Sequence, residues 1–368
     1  MSQFYIQAAR IASALVPQSF DNCLAAGHSY RQNDYNPILW RAKDRRIGRG
    51  ERFQEDRGGM KVFVVLNRTS GQSARERVRG SLGSHFGSSR IPYEIHETQK
   101  GEKLSEIVRE RMRRGFDLAV AAGGDGTVSA VIDGITGSPI PLGIIPTGTG
   151  NLIARELGIP EAVDDAVKLI AGTPRLRKID VMKIGGRMFV LNASVGISAA
   201  IVNGTTRKSK RYFGRIAYYV SAVPKLFTLK HRQLVVTVDG SGQEYRAIEV
   251  AVMNCGILAK MHYPKAPEIR IDDGYLDVFI LGTKPFRDYP LYLFGMLAGR
   301  SPDFLSRYIK AQRRVAIRSN VPLPVQADGD MIGTTPLDVE ILPGAVTVLV
   351  PEKDVIIPAL DSDRQTSG

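Results

Sequence analysis

The sequence predicts an α/β protein with two domains, a three-layer αβα domain built on a parallel sheet and then a β-sandwich. Two observations support this prediction. Strand-like apolar runs alternate with helical segments from Met60 to about Ile184, and beyond that point short β-type runs are separated by turn residues. Alternating strands and helices favour a parallel sheet covered on both faces, whereas consecutive short strands favour a sandwich.

In the first part of the chain, the runs KVFVVLN, PYEIHET, FDLAVAAG and PLGIIPTG predict four strands. Helices are expected over Ser73–Phe86, over VSAVIDGI, over LIARELG, and over KLSEIVRERMRRG, where Leu104, Ile107, Val108 and Met112 share one side. Because a helix separates each strand from the next, the four strands are predicted to be parallel.

The second part contains the β-type runs RMFVLNASVGI, QLVVTVDG, QEYRAIEVAVMNCG, YLDVFILG, RRVAIRSN, LPVQADG, LDVEILPG and AVTVLVP. Two helical stretches are expected around 210–227 and 286–310. The predicted organisation is 1–59 as a disordered extension or one outside the native protein, 60–184 as the α/β domain, 185–336 as the sandwich, 337–358 as a candidate to return to the α/β domain, and 359–368 as a tail.

The composition limits the classes of protein. The chain has 368 residues, a formal net charge of +13 and two cysteines, Cys23 and Cys255. Two cysteines cannot supply a disulfide framework or a four-ligand zinc site, and no apolar run approaches the roughly 20 residues that cross a bilayer. We therefore expect a cytoplasmic protein. The charge favours nucleic acid, anionic membrane or phosphorylated ligands, but no RNA-binding or helix-turn-helix motif supports nucleic acid.

Three of the four predicted strands end in turns suited to anions. These turns are NRTSG at 67–71, GGDGT at 123–127 and PTGTGN at 146–151. Glycines let the backbone approach a ligand closely, and amides at the start of a helix bind phosphate. Because the carboxyl ends of parallel strands meet at one edge of a sheet, the three turns predict a phosphate site there.

Asp125 is the unusual residue of these turns, because a carboxylate repels phosphates unless a cation lies between them. We expect Mg²⁺ between Asp125 and a nucleotide, and the alternative is a plain strand-to-helix turn with an Asx cap. The sequence contains no GxxxxGK[ST] loop and does not fit GxGxxG. P-loop enzymes and dinucleotide dehydrogenases are therefore disfavoured.

GGDGT followed by PLGIIPTGTGNLIARELGIP resembles the diacylglycerol kinase catalytic domain, especially the soluble bacterial lipid kinases related to sphingosine kinases and NAD kinases. Further matches include KIDVMKI, IDDGYLDVFIL and LPVQADGDMIGTTPLDVEILPGAVTVLVP, so the resemblance spans 60–352. It implies that ATP and Mg²⁺ are used to phosphorylate a lipid hydroxyl, on diacylglycerol or a related lipid such as a sphingoid base. The alternatives are an NAD kinase-like enzyme and a catalytically weakened nucleotide- or lipid-binding relative.

The resemblance also implies the site residues. Asp330 would be the general base, one methylene shorter than the glutamate of the family, while Asp125 and Asp180 would organise metal and nucleotide. The implied ligands of a structural Mg²⁺ in the second domain are Asp273 and the carbonyls of Arg270 and Tyr275. The implied nucleotide contacts are Asn67, Arg68, Thr69, Ser70, Gly71, Thr98, Gly123, Gly124, Asp125, Gly126, Thr127, Val128, Ser129, Ala130 and Thr149.

A lipid substrate would require contact with a bilayer. Residues 207–232 have basic ends around an apolar, aromatic middle, which suits an anionic interface. The alternative is a helix packed on the second domain. Residues 289–299 are a second membrane-contact candidate. We therefore expect a cytoplasmic enzyme, peripheral to the inner face of the membrane, with homodimerisation through sheet edges as a further expectation.

Overall fold

The structure, a computed structural model, describes residues 60–204, 232–262, 266–282 and 306–352. The predictions for several segments lie outside these residues, namely those for 1–59, for most of 207–232, for 289–299 and for the tail 359–368.

The described residues contain fifteen strands and seven α-helices. The strands are β1 Val62–Leu66, β2 Tyr93–Glu97, β3 Leu118–Gly123, β4 Leu142–Pro146, β5 Arg175–Ile184, β6 Arg187–Phe189, β7 Asn192–Gly196, β8 Arg232–Val238, β9 Ser241–Met253, β10 Leu276–Gly282, β11 Ser306–Ala311, β12 Arg314–Ser319, β13 Pro324–Ala327, β14 Asp330–Thr334 and β15 Leu337–Val350. The helices are α1 Gln72–Ser88, α2 Leu104–Arg113, α3 Asp125–Ile135, α4 Leu152–Glu156, α5 Val163–Ala171, α6 Ile197–Gly204 and α7 Gly256–His262.

The first four strands form the predicted parallel sheet, in the order β2-β1-β3-β4. Every residue of β1, β3 and β4 is buried, as expected of parallel strands covered on both faces. Helix α1 packs against α5, and α2 packs closely on α3, where a side chain at Gly134 would come within 2.7 Å of Val108. The predicted αβα layering is confirmed, although the sequence patterns did not predict α5.

Strand β15 joins the two parts of the chain. Its first residues pair antiparallel with β12, for example Leu337 with Ile317, and near its end Val348 pairs parallel with Leu142 of β4. Strand β5 lies antiparallel along β15. All fifteen strands consequently belong to one continuous sheet.

The second part is the predicted β-sandwich. Strands β7 and β12 are separated by β9 and β8 in the pairing order, yet both contribute side chains to one apolar cluster. The sheet therefore curves around this cluster. A second apolar cluster covers the other side of β9 and β10, and it includes Ala251 and Phe279.

Two local predictions need correction. The run RMFVLNASVGI is two strands, β6 and β7, and helix α6 begins at Ile197. Within the helical stretch expected around 286–310, residues 306–310 belong to strand β11. The strand forms because β11 pairs with β10, which places the ring of Tyr308 5.1 Å from that of Phe279. Tertiary pairing overrides local helical tendency there.

Candidate active site

The three anion-suited turns lie together at one edge of the parallel sheet. The amide of Thr147 donates to the carbonyl of Gly123 at 3.1 Å, and the hydroxyls of Ser70 and Thr147 are 2.8 Å apart. The side-chain amide of Asn67 donates to Thr127 Oγ1 at 2.9 Å. These bonds join the turns after β1, β3 and β4 into a single surface.

The turn after β1 is ordered by its own side chains. Asn67 Oδ1 accepts hydrogen bonds from the amide and the hydroxyl of Thr69, both at 2.9 Å. The hydroxyl of Thr98, at the end of β2, accepts from the amide of Arg68 at 3.1 Å. Gly71 has φ +84°, a conformation that favours glycine before helix α1. All of these residues were predicted to contact nucleotide, and the structure brings them together.

The other two turns pack backbone against backbone. A Cβ at Gly124 would lie 3.2 Å from the Cα of Gly148, and a Cβ at Gly148 would lie 2.5 Å from the Cα of Gly124. Gly126 and Thr149 are exposed on the outside of the same turns. The glycines therefore permit a close approach of two main chains whose outer sides remain open to a ligand.

Asp125 is the first residue of α3 and is only partly buried. Its Oδ1 accepts from the amide of Ile153 at 3.0 Å, so the carboxylate caps the neighbouring helix α4. A Cβ at Gly150 would lie 3.2 Å from Asp125 Oδ2, so this second oxygen faces the PTGTGN turn. The Asx cap expected as an alternative is not formed at the start of α3, whose N-cap is Gly124 without a side-chain cap bond. Asp125 caps the neighbouring helix instead, and its second oxygen remains beside the open turn.

The acidic turn of the second domain is a two-residue hairpin between β13 and β14. Asp328 and Gly329 both have positive φ, +47° and +83°, as a type I′ turn requires. Partial burial raises the pKa of the Asp328 carboxyl, and the four groups that donate hydrogen bonds to this carboxylate oppose the rise. Asp330, two residues further, is exposed. The four donors to Asp328 are the hydroxyl of Ser129 at 2.8 Å and the amides of Val190 at 2.9 Å, Leu191 at 2.8 Å and Asn192 at 3.1 Å.

The bond between Asp328 and Ser129 positions this hairpin relative to the phosphate turns. Ser129 lies four residues after Asp125 in α3, and residues at this spacing are neighbours on a helix, with Cβ atoms about 6 Å apart. The turn that carries Asp330 is thus fastened to the first turns of the helix that begins at Asp125. The structure brings these two predicted residues into one region.

Asp180 lies elsewhere. It is buried on β5, and its two oxygens accept from the amides of Gly274 at 2.7 Å and Gly344 at 2.6 Å. Burial raises the pKa of Asp180, and these two amides oppose the rise. The carboxylate therefore ties three segments of backbone together, and it groups with loop 270–275 rather than with the phosphate turns.

Loop 270–275 contains the predicted metal ligands. Asp273 accepts from the amide of Tyr275 at 3.0 Å and from Lys310 Nζ at 3.1 Å. Nearby Asp277 is buried, and among the described residues neither of its oxygens has a hydrogen-bond partner; burial raises its pKa to about 6. A cation would neutralise this charge, so the site fits one.

Side-chain ligands alone would not suffice for that cation. The described part of the chain has no group of three or more His, Cys, Asp or Glu side chains placed to hold a metal. A cation beside Asp273 would therefore depend on backbone carbonyls, as the predicted set with Arg270 and Tyr275 does.

Sequence reasoning missed the residues that connect the two domains. The amide of Asn254 donates to the carbonyls of Asp180 and Val190, both at 3.0 Å. Glu156, the last residue of α4, accepts from the amide of Ile257 at 2.8 Å, at the start of α7. The sequence signal that could have identified Asn254 is a polar residue at the end of an apolar run, in VMNCG.

Protein-family models match both parts of the chain. A model of the diacylglycerol kinase catalytic domain matches residues 61–184, and a model described as the YegS C-terminal NAD kinase beta sandwich-like domain matches residues 192–350. The chain belongs to the diacylglycerol kinase catalytic domain family. Membership of a kinase family implies the use of ATP.

Individual relatives of this kinase family span most of the chain. The diacylglycerol kinase of Bacillus subtilis is 26% identical over 303 residues, covering 79% of this chain and 96% of the relative. A Pseudomonas aeruginosa protein named "Probable lipid kinase YegS-like" is 28% identical over 294 residues, covering 79% and 94%. A crystal structure of a diacylglycerol kinase from Bacillus anthracis is 26% identical with a TM-score of 0.63, covering 79% of this chain and 97% of that chain. These relatives support a lipid kinase in general terms.

Proposed function

We propose that the protein transfers the γ-phosphoryl group of ATP to a hydroxyl of diacylglycerol or of a related long-chain lipid such as a sphingoid base. One observation carries this proposal. The hydrogen bond between Asp328 and Ser129 fastens the acidic turn of the sandwich to the helix that starts at the phosphate turns. The sheet edge that carries the three anion-suited turns and an exposed carboxylate are thereby held in one region.

The turns and the exposed acid would have different roles. Backbone amides of the turns at 67–71, 123–127 and 146–151 would bind the ATP phosphates and stabilise the charge that develops on transfer. Mg²⁺ held at Asp125 would neutralise phosphate charge. Asp330 would accept the proton of the lipid hydroxyl as its oxygen bonds to the γ-phosphorus, while the bond to the bridging oxygen breaks and ADP leaves.

A lipid acceptor would place the enzyme at a membrane surface. No helix in the described ranges is both long and apolar enough to pass through a bilayer. The net charge of +13 favours attraction to anionic lipid. We therefore propose peripheral contact with the inner face of the membrane, with the chain in the cytoplasm.

The second candidate acceptor is NAD, because residues 192–350 match a domain described as NAD kinase-like. Incubation with radiolabelled ATP, Mg²⁺ and one acceptor at a time separates the two candidates. The acceptors are diacylglycerol, a sphingoid base and ceramide in mixed micelles, and NAD in solution. We expect the label in a lipid product. Label in NAD, or release of phosphate alone, would contradict the proposal.

Asp330 provides the matching variants. Asp330→Asn should lower kcat by about 10²–10⁴-fold, since a positioned base contributes about that much. Asp330→Glu keeps the carboxylate and restores the family residue, so most of the activity should remain. Equal kcat values for the protein and Asp330→Asn would remove Asp330 from the mechanism.

A further inference from the structure

Three polar side chains lie buried on neighbouring strands of the sandwich. Glu249 on β9, Ser194 on β7 and Gln326 on β13 are 2%, 0% and 3% exposed. Ser194 is directly opposite Gln326, and Glu249 is opposite Gly196, one diagonal step from Ser194. Polar side chains in a core destabilise the fold unless they are hydrogen-bonded. The hydrogen-bond partners of these side chains therefore indicate their role.

Two hydrogen bonds of Gln326 connect Ser194 to the acidic turn. The side-chain amide of Gln326 donates to the hydroxyl of Ser194 at 2.8 Å. The carbonyl oxygen of the same side chain accepts from the amide of Gly329 at 3.0 Å. Gly329 is the residue between Asp328 and Asp330. The turn is therefore held by Asp328 on one side and by Gln326 on the other.

Glu249 lies diagonally beside Ser194, on the side away from the acidic turn. Its Oε2 accepts from the amide of Ser198 at 3.0 Å, while Oε1 is buried and has no hydrogen-bond partner among the described residues. Gly196 has φ +126°, and a Cβ there would lie 2.7 Å from Glu249 Oε2, so the glycine makes room for the carboxylate. Helix α6, whose first turn receives Glu249, packs over β7, β13 and β14.

We propose that Ser194 and Gln326 form a positioning row that fixes the Asp328–Gly329–Asp330 turn for proton transfer from the acceptor hydroxyl. This inference rests on the proposed function. The exposed Asp330 depends on its turn for position, and a displacement of about 1 Å can lower a rate by about 10²-fold. Two independent anchors on a two-residue turn restrict such a displacement.

The test is a double-mutant cycle between Gln326→Met and Asp330→Asn. Methionine has a similar length and forms neither hydrogen bond. In the otherwise unchanged protein, Gln326→Met should lower kcat about tenfold and leave KM for ATP within about twofold. In the Asp330→Asn background it should cause no further loss, because the row acts through Asp330. The matched control is Gln243→Met, at an exposed glutamine on β9, which should leave kcat unchanged.

Ser194→Ala removes one hydroxyl with little change in volume and tests the row again if Gln326→Met unfolds. It should lower kcat in the same direction, and again not in the Asp330→Asn background. An equal loss of kcat in both backgrounds, or no loss from either variant, would overturn the positioning role. The unchanged protein, assayed in parallel, separates the two proposals. Absence of lipid phosphorylation by that protein contradicts the proposed function, whereas normal phosphorylation by Gln326→Met contradicts only the row.

Discussion

The protein uses carboxylates in two regions, and their surroundings differ sharply. At the phosphate edge, formed by turns 67–71, 123–127 and 146–151, Asp125 is partly exposed and has one oxygen beside open glycine backbone. At the domain junction, formed by Asp180, Asn254, Asp328 and Glu156, carboxylate oxygens accept from amides of distant segments. The comparison shows that the hydrogen-bonded carboxylates of the junction stabilise the fold, whereas Asp125 at the phosphate edge has an oxygen available for a ligand.

Among the substitutions that compare these two regions, Asp125→Asn at the phosphate edge should have the largest effect. The amide removes the charge that would hold Mg²⁺, but its oxygen can still accept from Ile153, so the cap of α4 survives. We expect kcat for phosphoryl transfer to fall about 10²–10³-fold, as for loss of a group that stabilises transition-state charge. Steady-state kinetics measures the activity, and urea titration should show a free energy of unfolding within about 1 kcal/mol of the unchanged protein.

Asp165→Asn is the matched control, because Asp165 is exposed in the first turn of α5. It should change neither kcat nor stability. If Asp125→Asn retained full activity, or lost activity only because it unfolded, the role of Asp125 would be structural, like that of the carboxylates at the junction.

Asp328→Ala should show the opposite pattern, with stability as the primary loss. The substitution leaves the hydroxyl of Ser129 and three backbone amides without their acceptor, and it puts alanine at φ +47°. We expect the free energy of unfolding to fall by about 3 kcal/mol. Chemical denaturation measures it.

Asp330→Ala is the matched control two residues away, where the side chain is exposed. Its free energy of unfolding should change by less than about 0.5 kcal/mol. Equal destabilisation by the two substitutions would contradict the claim that the hydrogen-bonded Asp328 stabilises the fold while the exposed Asp330 does not.

The smallest effect, a pH-dependent one, concerns Glu249. Burial raises its pKa to about 7, so the folded state binds a proton that the unfolded state releases near the ordinary value of 4.5. The associated stability is fully present below about pH 4.5 and is lost as pH rises through 7. Glu249→Gln stays neutral, so at pH 8 its free energy of unfolding should exceed that of the unchanged protein by about 1–3 kcal/mol.

That difference should shrink steadily as the pH is lowered toward 4.5, which urea titrations at several pH values would detect. The matched control is Glu244→Gln, at an exposed position on the same strand β9, for which we expect no pH-dependent difference. A constant difference at every pH would mean that Glu249 does not titrate in this range.

The phosphate edge was predictable from sequence because its signals are local. Apolar runs mark β1, β3 and β4, and the glycine turns follow each strand directly. The junction was not predictable, because its contacts join residues far apart in sequence. Asp328 and Ser129 are 199 residues apart, and Asp180 meets amides 94 and 164 residues away. Nothing local distinguishes Asp180 from a ligand of metal or nucleotide, the role that its motif implied.

Calorimetric titration of ATP, with and without Mg²⁺, tests the central claim most directly. The claim is that amides of the three turns bind a magnesium-chelated triphosphate beside Asp125. We predict saturable binding of ATP with Mg²⁺, and strongly weakened binding when Mg²⁺ is omitted or when Asp125 is replaced by asparagine. Binding that is absent, or that is equally strong without Mg²⁺ and in Asp125→Asn, would contradict the account.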